Sequence, residues 1–320
     1  MRSLRNLVIT ALALLLPLGV WGADGHVGGS PVGEGVAAAA EAHSGGHHGL
    51  PAAAPDIGHL GPLPVSNSMV VTWIVALSLI LFARVATRRM REVPEGAQNF
   101  LEWLVESLHE FLEGIIGSHL ARKTFWFFAT IFIFILFSNW FGLIPGVGTV
   151  GFGAPTDHGF QISTPLFRGA NADLNMTLAM AMVFFVLWTV WALQENGVKG
   201  FVLHIFGPKG ETAGFLKMLM IGVFLLVGVL EVVSILFRPV SLSFRLYGNI
   251  FAGENMLESM ARLINEPAWA RFLGSVIIPV PFYFLEVLVG LVQALVFMLL
   301  TAVFTLLICT HEEGHAKEHH

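Results

Sequence analysis

Charge is what this chain of 320 residues has least of: Asp, Glu, Lys and Arg together make up 12% of it, against 55% hydrophobic residues. Soluble globular domains run near 25% charged, so a water-soluble enzyme is excluded and a bilayer is the expected solvent. Cysteine occurs once, at Cys309, which rules out a disulfide framework within one chain and any redox theme. Basic residues are also scarce. Seventeen Lys and Arg against 22 Asp and Glu give a formal charge of −5, and no basic patch exists for a polynucleotide partner. A phosphate-cradling loop is missing too, because Gly207-Pro-Lys-Gly-Glu-Thr212 lacks the P-loop spacing. No cofactor is expected.

What is present begins with Arg2 and Arg5, the apolar stretch Leu7–Leu18, and Gly22-Ala23 before polar residues. This is the layout of a secretory signal over 1–23, and its apolar run is short against the ~20 residues that span a membrane. Residues 24–66 are dominated by Gly, Ala, Pro and His and have too few large apolar side chains to fold alone. A disordered extracytoplasmic tail is expected there. His43, His47 and His48 are read as incidental, not as a metal site.

The membrane domain is placed at 67–310. A first span runs from Met69 to about Ala86, and Arg84, Arg88, Arg89 and Arg91 cluster at its end. Between Ala97 and Leu120, Phe100, Leu104, Leu108, Leu112 and Ile115 recur at helical spacing with Glu102, Glu106, Glu110 and Glu113 between them, the pattern of an amphipathic helix lying on the membrane. Phe125–Leu143 and Met176–Leu193 read as further spans. Residues 215–264 are mostly apolar, and 275–309 form an apolar run that would reach about 52 Å as a helix, well beyond the ~30 Å hydrocarbon core. These last helices must therefore be tilted or broken. Assigning loops by this alternation puts Arg84, Arg88, Arg89, Arg91, Arg122, Lys123, Lys199, Lys209, Lys217 and Lys317 inside, and Arg168, Arg262 and Arg271 outside. That asymmetry sets the N-terminus outside and the tail 311–320 in the cytoplasm. No internal repeat of the kind seen in many secondary transporters is present.

Charges within apolar spans need a partner, a watery cavity or a function. Turning 100° per residue, Glu231, Ser234, Arg238 and Asn249 fall within about 40° of Arg245, and Glu254 falls near 180° from it. Glu286 and Gln293, seven apart, share a face. One reading is a structural ion pair of Arg245 with Glu254 or Glu286. Carboxylates, hydroxyls and amides converging on a lone Arg favour a proton path instead.

The run Arg238-Pro-Val-Ser-Leu-Ser-Phe-Arg245-Leu-Tyr-Gly-Asn249-Ile-Phe-Ala-Gly-Glu254 resembles the signature of subunit a of the F-type ATP synthase membrane sector. Pro94-Glu-Gly-Ala-Gln-Asn99, Ser138-Asn139-Trp-Phe-Gly-Leu-Ile-Pro145, Ala172-Asp-Leu-Asn175, Glu231-Val-Val-Ser234 and Gln293 resemble further landmarks of that family. The resemblance implies an all-α integral membrane fold with about five membrane-embedded helices. Two of them, near 215–264 and 270–309, would be long and tilted and form a hairpin against a ring of c subunits, with one amphipathic interfacial helix beside them. It also implies a non-catalytic stator of the bacterial inner membrane, partnered by the c ring and b subunits, that passes H⁺ through two offset half-channels. On this resemblance Arg245 faces the ring carboxylate and separates the channels, a role suited to a group that does not deprotonate. Asn249, Glu254, Glu286, Gln293 and Asn139 would line the outside half-channel, and Glu231 and Ser234 the inside one.

Two departures stand out. Some members pair a Glu at the position of Glu254 with a His at that of Glu286; here both are acidic, which favours a shared proton if the two are close. Some members carry an acid where Gly142 stands. The competing classes are a polytopic secondary transporter or channel and a membrane metalloprotease. The latter rests on His311-Glu-Glu-Gly-His315, which has Gly314 where helical geometry is needed and no segment after it to supply a third ligand.

Overall fold

The computed structural model describes residues 54–60, 63–144, 147, 150–156, 159–206, 215–264 and 268–309. The signal at 1–23, the histidines of the tail and the His311–His315 motif lie outside them. Among the described residues seven α-helices carry the fold: α1 (Asn67–Ala86), α2 (Ala97–Ile116), α3 (Ser118–Gly142), α4 (Leu174–Phe206), α5 (Phe215–Ala261), α6 (Ala268–Ile277) and α7 (Pro279–Cys309). Five helical segments among these residues are long and apolar enough to cross a membrane. The expected all-α membrane architecture is the one observed.

Two short ribbons accompany the helices. β1 (Asp56–Leu60) pairs antiparallel with β2 (Leu63–Ser66), and β3 (Gly151–Thr156) with β4 (Gly159–Pro165). The first corrects the expectation of a tail without structure through residue 66. Its order comes from outside its own sequence: the Asn67 N–H donates to Pro55 O at 3.2 Å and Asn67 Nδ2 to Pro165 O at 3.1 Å, so the start of α1 ties both ribbons together. Local composition does not carry that information.

Glycine sets three of the breaks. Gly96 (φ 59°) precedes α2, Gly117 (φ 78°) separates α2 from α3, and Gly197 (φ 67°) interrupts α4, each in the left-handed region that a side chain disfavours. The interfacial helix thus ends at Ile116, not Leu120, and α3 starts earlier than its apolar run suggests, including Arg122 and Lys123. α2 buries Leu108, Leu112 and Ile116 against the bundle and exposes Glu106, Glu110 and Glu113, as its amphipathic pattern requires, whereas Phe100 of the expected apolar face is exposed.

α3 is the core helix. Phe128, Ile131, Phe134 and Ile135 are almost fully buried, and Phe127 and Phe128 meet Trp191 of α4 at centroid separations of 5.7 and 5.9 Å. Between apolar helices in lipid, hydrogen bonds and close packing replace the hydrophobic effect as the source of specificity. Here they converge on α7. Asn139 Nδ2 of α3 donates to Gly290 O (2.9 Å), and from α4 Trp188 Nε1 donates to Phe304 O (3.0 Å) and Asn196 Nδ2 to Ile308 O (2.8 Å). Gly290 permits the first, since a Cβ there would lie 3.1 Å from Asn139 Cβ. At the cytoplasmic end assigned from sequence, Lys123 Nζ pairs with Glu195 at 2.5 Å.

α5 runs 47 residues with Pro239 inside it. The second apolar run is broken at Ile278 into α6 and α7, so breakage occurs there. α7 alone, 31 residues, spans about 46 Å and must lie obliquely to fit the ~30 Å hydrocarbon core.

The amide relay that fixes α7 is testable. Asn171 Nδ2 donates to Asn139 Oδ1 at 2.7 Å in a fully buried position. Asn171→Ala should destabilise the purified chain by about 1 kcal/mol in a denaturant titration in detergent; an unchanged midpoint would show that the relay adds nothing.

Candidate functional site

The sequence-predicted residues fall on two sides of α5. Arg245 lies on its exposed side together with Asn249 and Ser234. Ser234, Phe237, Arg238, Ser241, Leu242 and Arg245 from α5, with Leu300 and Phe304 from α7, line an open cleft of ≈ 280 Å³. Arg238 is fixed at its edge, its guanidinium 4.6 Å from the ring centroid of Phe304 and 5.5 Å from that of Trp188. Glu231, half-buried two turns earlier, acts on Arg238 electrostatically. Among the described residues the ion pairs are Arg91–Glu95, His109–Glu113, Lys123–Glu195 and Arg262–Glu258. The structural pairing of Arg245 with Glu254 or Glu286 weighed from the sequence does not occur.

Glu254 and Glu286 lie on the opposite, inward side. Glu286 is 7% exposed, and its carboxylate packs on Gly253 so tightly that a Cβ there would overlap it. The Glu254 carboxylate is held at Gly169, whose backbone N–H donates to it. A Cβ on Gly169 would overlap Oε1, and one on Gly142 would sit 3.3 Å from Oε1 and 3.2 Å from Gly169 Cα. Three glycines therefore make the room that two carboxylates occupy. Glu286 acts electrostatically on Glu254, so the pair expected from sequence is brought together.

Asn139 joins this outer cluster. It is 3% exposed and connects α3, α7 and Asn171 through the bonds described above. Gln293 is half-buried and lies one turn beyond Gly290 on the face that carries Glu286. Asn249 alone of the outer set lies on the open side, one turn from Arg245. Arg245 and Glu254 are nine positions apart, about 14 Å along the axis, and the body of α5 stands between them.

Sequence reasoning missed Arg168. Assigned to an outside loop, it is in fact 3% exposed, next to Gly169 and 5.7 Å from the ring centroid of Phe251, and it acts electrostatically on Glu254. Asn171 was missed as well, although it directly precedes the Ala172–Asn175 landmark. Asp173 of that landmark is mainly structural. It accepts from Ser68 Oγ (2.5 Å) and from the Asn175 N–H (2.9 Å), joining α1 to the start of α4 as an N-terminal cap.

Comparison with known proteins bears on this geometry. A family described as ATP synthase A chain matches residues 69–305. The chain is 34% identical over 260 residues to "ATP synthase subunit a" of Moorella thermoacetica, covering 81% of this chain and 97% of that one. It is 32% identical over 262 residues to the protein of the same name from Gloeobacter violaceus, covering 82% and 88%, and 34% identical over 239 residues to that of Trichlorobacter lovleyi, covering 75% and 85%.

The glycine cradle can be probed directly. Gly253→Ala introduces a methyl group where the Glu286 carboxylate sits while α5 remains helical. Forcing a methyl group into a packed site costs about 1–3 kcal/mol, so Gly253→Ala should lower the denaturation midpoint of the purified chain in detergent. A midpoint equal to wild type would show that the Glu286 carboxylate moves aside without cost.

Proposed function

The chain belongs to the ATP synthase A chain family, and from that premise we propose that it is the proton-translocating stator subunit of an F-type ATP synthase membrane sector. The observation that carries this reading is the separation of charge across α5. Arg245, which has no acid partner among the described residues, stands on the open face, and two buried acids stand behind the same helix. A protein that needed only to neutralise its charges would pair them, because unpaired charge in hydrocarbon is expensive. An open, fixed cation is instead suited to a partner's carboxylate that arrives and leaves.

In the proposed mechanism the open face of α5 meets a ring of c subunits, with b subunits elsewhere on the complex, in a bacterial inner membrane. Protons enter from outside through Asn139, Gln293, Glu254 and Glu286 and pass Asn249 to reach a ring carboxylate. They leave to the cytoplasm past Ser234 and Glu231. Arg245 holds each passing carboxylate ionised and blocks direct transfer between the two paths, since guanidinium does not give up its proton. Its planar fork also offers two parallel donors to a carboxylate. The chain supplies the path, and nucleotide chemistry takes place in other subunits. Residues 1–23 act as a signal, 24–66 as an extracytoplasmic tail and 311–320 as a cytoplasmic tail around the membrane domain at 67–310.

Arg245→Ala should abolish proton-driven ATP synthesis while the complex still assembles, and Arg245→Lys should fail too, because a compact ammonium reproduces neither the permanence nor the shape of the charge. Normal ATP-driven proton pumping in inverted vesicles carrying the Ala variant would refute the assignment. Orientation has a separate check: in a Cys309→Ser background, Met90→Cys should react with a membrane-impermeant thiol reagent only from the cytoplasmic side, and labelling in intact cells would reverse the topology.

A further inference from the structure

The proton path proposed above leaves the buried cation Arg168 unused. Arg168 lies in the segment leading into the short turn Ala170–Ala172 and is 3% exposed. Its guanidinium stands 5.7 Å from the centroid of Phe251, which precedes Glu254 by three residues and so shares its face of α5. The neighbouring Gly169 touches the Glu254 carboxylate directly and donates its backbone N–H to it. Arg168 and Gly169 together form a clamp on Glu254, one residue supplying charge and the other a hydrogen bond. We propose that Arg168 is a positioning residue of the outside half-channel, whose fixed charge sets the Glu254–Glu286 pair to hold one proton; this rests on the stator reading above.

The physical reason is a charge count in a poorly solvated place. Guanidinium stays protonated, so the three groups carry net charge −1 with no proton on the acids, zero with one and +1 with two. Net charge in a low-dielectric interior is costly, and the neutral, singly protonated state is favoured. That is also the only state that relays in both senses: one carboxylate is free to accept and the other is ready to donate. Without the guanidinium, the neutral state has both acids protonated and no acceptor remains.

Among the described residues, the other charges near this end of α5 are engaged elsewhere. On α5 itself Glu258 pairs with Arg262 at 2.6 Å. Asp173, beyond the turn, is occupied by Ser68 and the Asn175 N–H. α7 contributes Glu286, and the outer end of α3 contributes the uncharged Asn139 and Gly142. Arg245 faces away on the other side of α5.

The test uses the intact synthase in proteoliposomes, with pH set independently on the two sides. Arg168→Gln should lower proton-driven ATP synthesis several-fold when the outside solution is neutral or acidic, and the loss should shrink as that solution is made alkaline. Arg168→Lys, which keeps the charge, should retain most of the rate. Adding Glu254→Gln to Arg168→Gln should cost little beyond Arg168→Gln alone, because the pair has already lost its free acceptor. An unchanged rate in Arg168→Gln would overturn the proposal. So would a loss that is uniform across outside pH and is shared by the Lys variant, since that pattern marks a loop anchor. If Arg168→Gln fails to assemble with the ring, assembly of the double variant supports charge compensation and its failure overturns it. Arg245→Ala in the same preparation separates the two readings: if it is inactive while Arg168→Gln is unaffected, only the role of Arg168 falls, and if it is active, the stator assignment falls.

Discussion

A charge inside hydrocarbon must be surrounded by protein or water, and this chain meets that constraint differently on the two sides of a single helix. On the inward side of α5 the acids are enclosed by packed backbone. Gly142, Gly169 and Gly253 remove the side chains that would otherwise occupy the carboxylates' space, and a backbone N–H and a guanidinium supply compensation. On the outward side Arg245 is left open, next to exposed apolar residues such as Phe237 and Phe244. A cation so placed is stable only against a partner surface or water. The open side therefore depends on water or a second component, whereas the closed side is compensated mainly by the chain's own groups.

Helix length converts this two-sidedness into a difference in depth. Glu231 and Glu254 are 23 positions apart, about 35 Å along a helix axis, more than the ~30 Å hydrocarbon thickness. Even when tilted, α5 places one of them toward each membrane surface and Arg245 between them. α7 follows the same course, joined to α3 near Gly290 and to α4 near Phe304 and Ile308. These bonds hold α7 along most of its length and keep Glu286 at the depth of Gly253. Two paths that never meet directly can thus be built on one pair of oblique helices, with the break at Ile278 absorbing the turn into α6.

Most of the helical architecture was legible because long apolar runs have few alternatives in a bilayer. The spans, the amphipathic α2, the shared face of Arg245 and Ser234, and the placement of Glu254 behind α5 all followed from period and spacing. What was illegible depended on contacts distant in sequence. The ribbon before α1 is ordered through Asn67 and Pro165, nearly a hundred residues apart. Arg168 read as a loop cation because nothing in its neighbourhood signals that Glu254, 86 positions later, packs against Gly169. The glycines were equally silent: Gly253 has ordinary helical geometry, and its reason for lacking a side chain is a carboxylate on another helix.

Close packing also explains why the acids stand at the positions they do. The outer pocket has room for two carboxylates and is bounded by backbone, with Gly142 facing Glu254 Oε1 at 3.3 Å from an added Cβ and Gly169 Cα at 3.2 Å. A larger side chain at 142, such as the acid carried by some members of the family, would have to displace Glu254 from its N–H donor or push the Arg168–Gly169 segment away. It would also add a second negative charge beside Glu254, with a single fixed cation available to offset three acids. Volume and charge therefore impose the same limit. With the α3 side of the pocket closed around Glu254, the second acid enters from α7, where Gly253 leaves space for it.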